Sequence, residues 1–330
     1  MLRLTDQQVA EFRGFVDSHN SFILGGHREP DGDCLMSCLG MAKILEKLGK
    51  PYRLFSAGPF KRSEIKEMES LFPDALPGWS ADELKKQALI ILDCAEVERL
   101  GEVNVDLSGL DVFIIDHHHT SMPAAGDRHH RIIDPGAPAT ALIVHQLYER
   151  IIGVPDEETA GRLFFGLVTD TNFFRFLPSH SGTVFQAAGR LTDAGAVPRT
   201  IYDDISAHKP FLTRKLLGLM LDRAEQRFGG QVIHTWETIA DTQKFGKEGR
   251  DSDALYQLFL SVERVRAVLF VRQEKQFKCT VGMRSKGTLD VGAIAAKFGG
   301  GGHTNAAGLT MNDDIKAVRQ ILLEELERAL

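Results

Sequence analysis

The chain has few of the features that mark secreted or membrane-bound proteins. It contains four cysteines in 330 residues, which favours reduced thiols in a cytoplasm over a disulfide framework. No apolar run approaches the roughly 18 residues that a membrane span needs. The first residues, MLRLTDQQVAEF, have no apolar segment of the kind found in signal peptides. We therefore expect a cytoplasmic protein with no membrane partner.

The chain also lacks an excess of positive charge. It has 39 Lys and Arg against 45 Asp and Glu, a net charge of −6, which argues against binding of long duplex nucleic acid through a broad basic face. Small phosphorylated substrates stay open, because bound metal ions can supply the positive charge. With 43% hydrophobic residues, the chain has enough apolar surface for two domains or one large one.

Short continuous apolar runs alternate with helical patterns in the N-terminal half. Such runs, without polar alternation, are typical of parallel strands that are buried on both faces. The pattern predicts an α/β domain with a doubly wound, mostly parallel sheet. The predicted strands are residues 21–26, 52–56, 89–92 and 112–115.

The C-terminal part has a different pattern, and we expect a smaller α+β domain there. Strand candidates at 231–236, 265–272 and 278–283 precede two predicted helices. The predicted domain limits are 1–208 for the first domain, 209–228 for a helical linker and 229–330 for the second domain. Two domains joined by such a linker predict a cleft between them.

Polar residues follow the apolar runs of the first domain, where ligands of open α/β sheets bind. The ends of parallel strands lie at one edge of the sheet, so residues distant in sequence meet there. Crowded carboxylates raise one another's pKa unless cations offset their charge. Carboxylate and imidazole without thiolate suit Mn²⁺, with Mg²⁺ or Co²⁺ as alternatives, and we interpret Cys34 and Cys38 as helix core. The residues at these ends are His27, Asp31, Asp33, Asp93, Asp116, His117, His118 and Asp170.

The spacing of Asp31 and Asp33 in HREPDGD leaves room for two metal ions rather than one. Pro30 and Gly32 bend the loop, so the two carboxylates need not point to opposite faces as they would in a strand. Two ions roughly 3.5–4 Å apart clamp the attacking and leaving oxygens of a phosphoryl displacement. A water between the two ions would be acidified into a hydroxide nucleophile at neutral pH.

Five segments of the chain, taken in order, resemble the motifs of the DHH phosphoesterases. Four of them, GHREPDGD, ILDCAE, IIDHHH and GLVTDTNFFRF, resemble the catalytic motifs, and VGMRSKGTLDVGAIAAKFGGGGHTNAAG resembles the associated C-terminal domain. The resemblance covers roughly residues 20 to 310. It is greatest to the stand-alone enzymes of the nanoRNase/pAp phosphatase type and to cyclic-di-AMP or pApA phosphodiesterases.

The resemblance implies a role for each motif residue. The first Mn²⁺ would be held by His27, Asp31 and Asp93. The second would be held by Asp33, Asp93, His117 and Asp170, with Asp93 as the bridging ligand. Asp116 would orient its neighbours, and His118 would face the scissile phosphate as a charge stabiliser or as the acid for the leaving 3′ oxygen.

The C-terminal domain would bind the substrate. The resemblance places a phosphate or base against His303 and the backbone of Gly300, Gly301 and Gly302, and a terminal phosphate on the guanidinium of Arg284. Arg175 would extend the phosphate-binding surface from the first domain. The chain departs from the family at 137–142, where only Thr140 keeps the hydroxyl of a Ser- and Thr-rich segment. His119 lies outside the motif, and we expect it in a loop.

The resemblance predicts an Mn²⁺-dependent phosphoesterase that hydrolyses very short nucleotides, such as short single-stranded oligonucleotides, pApA or pAp, to 5′-mononucleotides. A cyclic-di-AMP phosphodiesterase is the main alternative, because it uses the same metals and glycine loop. A pyrophosphatase or exopolyphosphatase would not need the C-terminal signature, and an inactive nucleotide sensor would lack a metal ligand, whereas every expected ligand is present. The sequence leaves the oligomeric state open, a homodimer included.

Overall fold

A computed structural model describes residues 4–118, 129–206, 209–247 and 250–330 of the chain. The chain divides into two compact units, Met1–His208 and Lys209–Leu330, which we call unit 1 and unit 2. Each unit is built on a sheet of its own. Within the described ranges, no helix is both long and apolar enough to cross a membrane.

Unit 1 contains a five-stranded parallel sheet in the order β2-β1-β3-β4-β5. This arrangement confirms the predicted doubly wound parallel sheet. The strands are β1 (Ser21–Gly26), β2 (Tyr52–Phe55), β3 (Gln87–Leu92), β4 (Asp111–Asp116) and β5 (His130–Ile133). The helices are α1 (Asp6–Ser18), α2 (Gly32–Lys47), α3 (Ala81–Leu84), α4 (Thr140–Ile151), α5 (Glu157–Thr171), α6 (Gly182–Asp193) and α7 (Pro198–Ser206). Short 3-10 helices lie at Ser63–Leu71 and Val97–Leu100.

The two faces of this sheet are covered by different material. Phe22 and Leu24 of β1 pack with the residues of α1, α2, α4 and α5 in one large core cluster. Ile23, between them, belongs to a smaller cluster with Leu76, Leu100 and other residues of the loops and short helices. Successive side chains of a strand point to opposite faces. Both faces are therefore buried, which accounts for the continuous apolar runs in the sequence.

The register of the strands brings three strand ends to one edge of the sheet. Gly26 of β1 pairs with Leu92 of β3, and Leu92 pairs with Ile115 of β4. The helices α2 and α5 pack against each other, and α2 begins after a loop of five residues that follows β1. The residues after β1, β3 and β4 therefore start from neighbouring positions, as expected for a parallel sheet.

Unit 2 contains a six-stranded mixed sheet in the order β10-β11-β9-β8-β7-β6. Only β7 and β8 pair in parallel; the other neighbours are antiparallel. The strands are β6 (Glu225–Arg227), β7 (Val232–Glu237), β8 (Ala267–Lys275), β9 (Lys278–Ser285), β10 (Gly301–His303) and β11 (Ala306–Met311). The helices are α8 (Phe211–Asp222), α9 (Ile239–Phe245), α10 (Ser252–Leu260), α11 (Val291–Ala296) and α12 (Ile315–Ala329).

The predicted linker, residues 209–228, consists of α8 followed by β6. The helix ends at Asp222, and β6 pairs with β7 in the sheet of unit 2. Leu216 and Met220 of α8 pack on Ile233 of β7. These residues thus form part of unit 2, and a linker role for them stays a prediction.

Candidate metal centre and substrate pocket

Asp93 is the central residue of the cluster in unit 1. It follows β3 directly, its side chain is 2% exposed, and its backbone N–H donates to the carbonyl of Ile115 at 3.0 Å. Its φ is +64°, in the left-handed region that is unfavourable for a residue with a side chain. The hydrogen bond to β4 helps to keep this strained backbone in place, and it fixes where the carboxylate lies.

Two imidazoles present the same ring nitrogen to Asp93. The Nε2 atoms of His27 and His117 lie 3.4 Å from its two carboxylate oxygens. On the other side of each ring, Nδ1 contacts a backbone carbonyl, that of Arg28 at 2.9 Å and that of Ala137 at 3.2 Å. A proton on each Nδ1 leaves the lone pair of Nε2 directed into the cluster, which is the usual arrangement of metal-binding histidines.

His117 lies among three carboxylates. Its Nε2 is 3.2 Å from Asp170 and 3.9 Å from Asp33 in addition to its contact with Asp93. This atom is buried and has no hydrogen-bond partner among the described residues. A buried polar atom without a partner costs free energy. A cation between the imidazole and the carboxylates would remove that cost, so the orphaned atom itself indicates a metal site.

Asp33 is completely buried and is held by the N-terminus of α4. One of its carboxylate oxygens accepts from the backbone N–H of Thr140 at 2.6 Å, and the other accepts from the N–H of Ala141 at 2.8 Å. The N-cap position of α4 is Ala139, which has no side chain to cap the helix. Asp33 therefore supplies from α2 the negative charge that the first turn of α4 requires.

Thr140 contacts the candidate site, a role that the sequence did not predict. Its hydroxyl donates to Asp93 at 3.0 Å while its backbone N–H donates to Asp33. One residue thus holds two carboxylates that were expected to be metal ligands. The signal in the sequence is weak: a helix that begins after an alanine must take its cap from elsewhere.

Asp31 and Asp170 complete the set of carboxylates around the two imidazoles. Asp31 is the N-cap of α2 and accepts from the N–H of Cys34 at 3.1 Å, and it lies 3.9 Å from Nε2 of His27. Asp170 lies in the last turn of α5, and its side chain is 28% exposed. The structure brings together all six residues that the sequence proposed as metal ligands.

Asp116 and His118 form a pair beside this cluster. Asp116 is buried and accepts from the N–H groups of His117 and His118 and from Nδ1 of His118 at 2.8 Å. His118 is 44% exposed and lies 3.8 Å from Asp93. The buried carboxylate thus fixes the direction of an imidazole that solvent can reach.

The titration of these groups reflects a local shortage of positive charge. Burial, together with Asp93, raises the pKa of Asp33 well above its usual value and also raises the pKa of Asp31. Burial alone would lower the pKa of His117, but Asp170, Asp93 and Asp33 raise it to about 11. At neutral pH the raised pKa favours a second proton on the ring of His117, which partly offsets the charge of those carboxylates. A divalent cation would replace that proton.

Three overlapping groups of side chains offer ligand atoms within 4.8 Å of one another. They are His27 with Cys34 and Asp93, Asp93 with His117 and His118, and Asp33 with His117 and Asp170. The overlap at Asp93 and His117 is compatible with more than one ion. Cys34 was expected in the helix core; it is buried, but its Sγ lies beside His27 and Asp93. Its contact with Cys38 and its burial raise the pKa of the thiol, which keeps it uncharged.

Part of the expected substrate-binding set lines a cavity of about 420 Å³ in unit 2. Arg284, Gly301 and Gly302 belong to its wall. The guanidinium of Arg284 stacks on the ring of Tyr256 at 4.6 Å, and no acidic residue pairs with it in the described part of the chain. The other lining residues are Ser252, Phe270, Arg272, Thr280, Val281, Gly282, Ala306, Ala307 and Gly308.

The glycine run also has a structural role that the sequence did not predict. The N–H of Gly300 donates to Ala295 at 3.0 Å, so it is already satisfied. A side chain at Gly300 would collide with β11, and one at Gly302, whose φ is +144°, would collide with Ala306 and Ala307. A side chain at Gly301 would meet nothing within 4 Å. The run allows β10 to pack closely on β11 and leaves an open wall at Gly301.

The remaining substrate candidates lie elsewhere. His303 is exposed at the end of β10 and lines a second concave surface with Asp290 and Asn305. Arg175 is exposed in the turn after α5, in unit 1. His119 lies outside the described residues. The residues predicted to bind substrate therefore line two adjoining surfaces of unit 2, which share Gly302 and Ala306, and one part of unit 1; Arg272 and Tyr256 in the cavity wall were not predicted.

The chain is similar to known proteins over most of its length. Residues 21–167 match the N-terminal domain of the DHH family, and residues 214–330 match the DHHA1 domain. The bifunctional oligoribonuclease and PAP phosphatase NrnA of Thermus thermophilus is 33% identical over 311 residues, which are 92% of this chain and 89% of that protein. The cyclic-di-AMP phosphodiesterase PdeA of Listeria monocytogenes is 28% identical over 94% of this chain and 47% of its own length. An exopolyphosphatase-related protein of Bacteroides fragilis has the same fold, with a TM-score of 0.83 at 22% identity over 98% of both chains.

Proposed function

The chain belongs to the DHH family, and on that premise we propose that it hydrolyses very short nucleotides at a centre that holds two Mn²⁺ ions. The family membership that the motifs predicted is confirmed, and it makes the chain a metal-dependent phosphoesterase. The identity of the substrates and the number and kind of ions are parts of the proposal. The observation that carries it is the buried, unpartnered Nε2 of His117 among three carboxylates.

In the proposed centre, His27, Asp31 and Asp93 would hold one ion. Asp33, Asp93, His117 and Asp170 would hold the other, with Asp93 as a ligand of both. Oxygen and nitrogen ligands with a neutral thiol nearby suit Mn²⁺, and Mg²⁺ or Co²⁺ have similar requirements. When bound, the ions supply Lewis acidity that acidifies a water molecule and offsets the charge of the reacting phosphate.

His118 is the proposed acid of the reaction. In hydrolysis of a phosphodiester, a water oxygen bonds to phosphorus, the bond from phosphorus to the 3′ oxygen breaks, and that oxygen takes a proton. The hydrogen bond that Nδ1 of His118 donates to Asp116 raises the pKa of His118, which favours the protonated imidazole that such a step needs. Asp116 acts through His118 and fixes its direction.

Short linear nucleotides such as pApA, pAp or oligonucleotides of a few residues are the proposed substrates. The name of the Thermus thermophilus relative supports them, because that protein aligns over nearly its whole length. In unit 2, Arg284, Gly301, Gly302 and His303 are the proposed contacts, with Gly300 shaping the loop. Arg175 would add a contact from unit 1. The enzyme would act on no long duplex, and a cytoplasmic location and a homodimer stay predictions.

Cyclic di-AMP is the second candidate substrate. Two curated relatives carry the name of a cyclic-di-AMP phosphodiesterase, although the chain spans only about half of their length. A cyclic dinucleotide has no terminal phosphate for Arg284. The variant Arg284→Ala should therefore impair cleavage of pApA much more than cleavage of cyclic di-AMP.

The deciding experiment is a parallel assay with Mn²⁺ on pApA, pAp, a short oligoribonucleotide and cyclic di-AMP. The proposal expects release of 5′-mononucleotides from the linear substrates and loss of that activity in EDTA. Turnover of a labelled dinucleotide that survives EDTA would contradict the metal-dependent mechanism. Cleavage of cyclic di-AMP alone would replace the first substrate class by the second.

A further inference from the structure

The cavity beside Arg284 contains a second arginine that the sequence did not single out. Arg272 lies on β8 and lines the cavity with Ser252 and Phe270. Its side chain is 19% exposed, and its guanidinium lies over the ring of Phe270 at 4.9 Å. Two guanidiniums therefore belong to one concave surface, and no acidic residue of the described chain is part of that lining.

The position of Arg272 is fixed by a buried carboxylate. Its Nε donates to Oε2 of Glu237 at 2.9 Å, and the side chain of Glu237 is only 1% exposed. Its Nη2 donates to the hydroxyl of Ser252 at 3.0 Å. Nη1 has no partner among the described residues, so this end of the fork is available to a ligand.

Glu237 is itself held from the other side. Its Oε1 accepts from Arg250 at 2.9 Å and from the hydroxyl of Thr242 at 2.7 Å. Burial alone would raise the pKa of Glu237, but these partners and Arg272 lower it, so the carboxylate stays ionised. An ionised, buried carboxylate with fixed partners holds the guanidinium in one orientation, as supporting residues do in preorganised sites.

The chemistry of the cavity fits a terminal phosphate. A phosphomonoester has a charge of about −1.5 to −2 at neutral pH, and Nη1 of Arg272 and the guanidinium of Arg284 can donate charge-assisted hydrogen bonds to it. The volume of about 420 Å³ lies within the range of roughly 300–1,000 Å³ that is usual for small-molecule sites. The absence of a side chain at Gly301 leaves open space, and its absence at Gly282 makes room for the hydroxyl of Tyr256 in the cavity wall.

We infer that Arg272 is a substrate-binding residue. Together with Arg284 it binds the terminal phosphomonoester of a linear nucleotide, and Glu237 positions its guanidinium. The inference rests on the proposed function, since it names the part of the nucleotide that this cavity takes. It predicts that the enzyme prefers a substrate with a terminal phosphate, and that Arg272 is a source of this preference.

The test compares pApA with ApA, which lacks the 5′-phosphate. For Arg272→Ala, kcat/KM for pApA should fall about 10- to 100-fold while that for ApA changes less than about threefold, as expected for loss of hydrogen bonds to a charged group. Arg328→Ala removes an exposed arginine of α12 that lines no part of the cavity and should leave both values unchanged. Equal losses on the two substrates, or no loss on either, would overturn the role of Arg272.

The positioning role of Glu237 has its own readout. Glu237→Gln should raise KM for pApA with little change of kcat, and it should lower the preference for pApA over ApA toward that of Arg272→Ala. Glu237→Gln removes a buried charge and can therefore destabilise the fold. Ser252→Ala serves as a second variant, because it removes only the hydrogen bond between Nη2 of Arg272 and the hydroxyl of Ser252. Ser252→Ala should lower the preference by a smaller factor. A preference that survives in both variants would contradict positioning.

Binding of AMP and adenosine to the intact chain in EDTA separates this inference from the proposed function. The wild type should bind AMP more tightly than adenosine in a calorimetric titration, and Arg272→Ala should lose that difference. If neither dinucleotide is hydrolysed but this difference is found, the proposed function fails and the phosphate site stands. If the dinucleotides are hydrolysed and Arg272→Ala binds AMP like the wild type, the phosphate site fails and the proposed function stands.

Discussion

The two units hold buried charge in opposite ways. In unit 1, Asp33 and Asp93 are buried in a cluster whose carboxylates outnumber its imidazoles. In unit 2, the buried carboxylate of Glu237 lies between the guanidiniums of Arg250 and Arg272. The first cluster is short of positive charge and the second is not. Buried charges of one sign are costly unless a partner of opposite charge offsets them. Unit 1 therefore requires additional positive charge, whereas the buried network of unit 2 does not.

The buried carboxylates of unit 1 need a bound cation to balance their charge, whereas those of unit 2 are balanced by arginines. In unit 1 the surrounding carboxylates raise the pKa of His117 to about 11, so its imidazole holds a proton. A divalent cation would offset the charge of these carboxylates better than that proton does. In unit 2 the charges of Arg250 and Arg272 are offset by Glu237 and Glu274, and Arg284, which pairs with no acidic residue of the described chain, lines a cavity. We therefore expect unit 1 to bind cations and unit 2 to bind the anionic end of a nucleotide.

Removing the central carboxylate of unit 1 should have the largest effect. Asp93→Asn keeps the size of the side chain, and Asn tolerates the left-handed backbone at this position. Because the metal centre contributes several kcal/mol of stabilisation to the transition state, activity with Mn²⁺ on a labelled dinucleotide should fall about 10³-fold or more. Asp111→Ala, at the other end of β4 where the side chain is 76% exposed, is the matched control. Near-normal activity of Asp93→Asn would refute a bridging role.

Removing the central carboxylate of unit 2 should instead reduce stability. Glu237→Gln leaves two guanidiniums facing each other without the charge that separates them. Loss of one partner of a buried ion pair lowers the free energy of unfolding by about 3–5 kcal/mol, which urea denaturation would measure. Glu263→Gln removes a carboxylate that is 90% exposed and should change it little. Similar unfolding curves for the two variants would mean that the buried network does not stabilise unit 2.

His145, a buried histidine outside the cluster, shows what burial does to the pKa of an imidazole when no carboxylate cluster surrounds it. His145 is fully buried in α4, and burial lowers its pKa to about 4. Between that pKa and the value near 6.5 of the unfolded chain, only the unfolded chain binds a proton, so stability decreases as the pH falls. From pH 7 to pH 4.5 the wild type should lose about 2 kcal/mol more than His145→Gln. Urea denaturation in EDTA at both pH values measures this, and identical losses would contradict a neutral buried His145.

The smallest effect is expected at the hydroxyl of Thr140, which donates to the carboxylate of Asp93 in unit 1. Thr140→Val keeps the shape and the backbone N–H that binds Asp33 but removes the donor to Asp93. Residues that orient metal ligands in this way affect affinity by about tenfold or somewhat more. Titration of Mn²⁺ by electron paramagnetic resonance should detect the change, and Thr140→Ser should restore the affinity. An unchanged Mn²⁺ affinity in Thr140→Val would limit the hydroxyl to a structural role.

The candidate ligands of unit 1 were predictable because they lie at the ends of elements with strong patterns. His27 and Asp93 come directly after continuous apolar strands, and Asp170 lies in the last turn of an apolar helix. The contribution of Thr140 was not predictable, because it depends on the packing of α4 against α2. Cys34 was placed correctly inside a helix, but its nearness to His27 follows from the path of the loop between β1 and α2.

Unit 2 was less predictable for the same reason. Its antiparallel strands β10 and β11 are short, and β10 consists of glycines and a histidine that have no strand pattern. The sequence predicted backbone contacts to the substrate there, but not that the close approach of β11 excludes side chains at Gly300 and Gly302. Glu237 and Arg272 are 35 residues apart, and neither lies in a motif.

The sequence by itself determined the parallel sheet of unit 1, the family and the six candidate metal ligands. These depend on local patterns, on the order of short motifs and on the rule that parallel strands end at one edge. Only the tertiary structure decided which donors hold those ligands, which residues line the cavity of unit 2 and which buried charges are balanced. Such properties arise from pairs of residues that are distant in the chain, and the energy of a buried charge depends on what surrounds it.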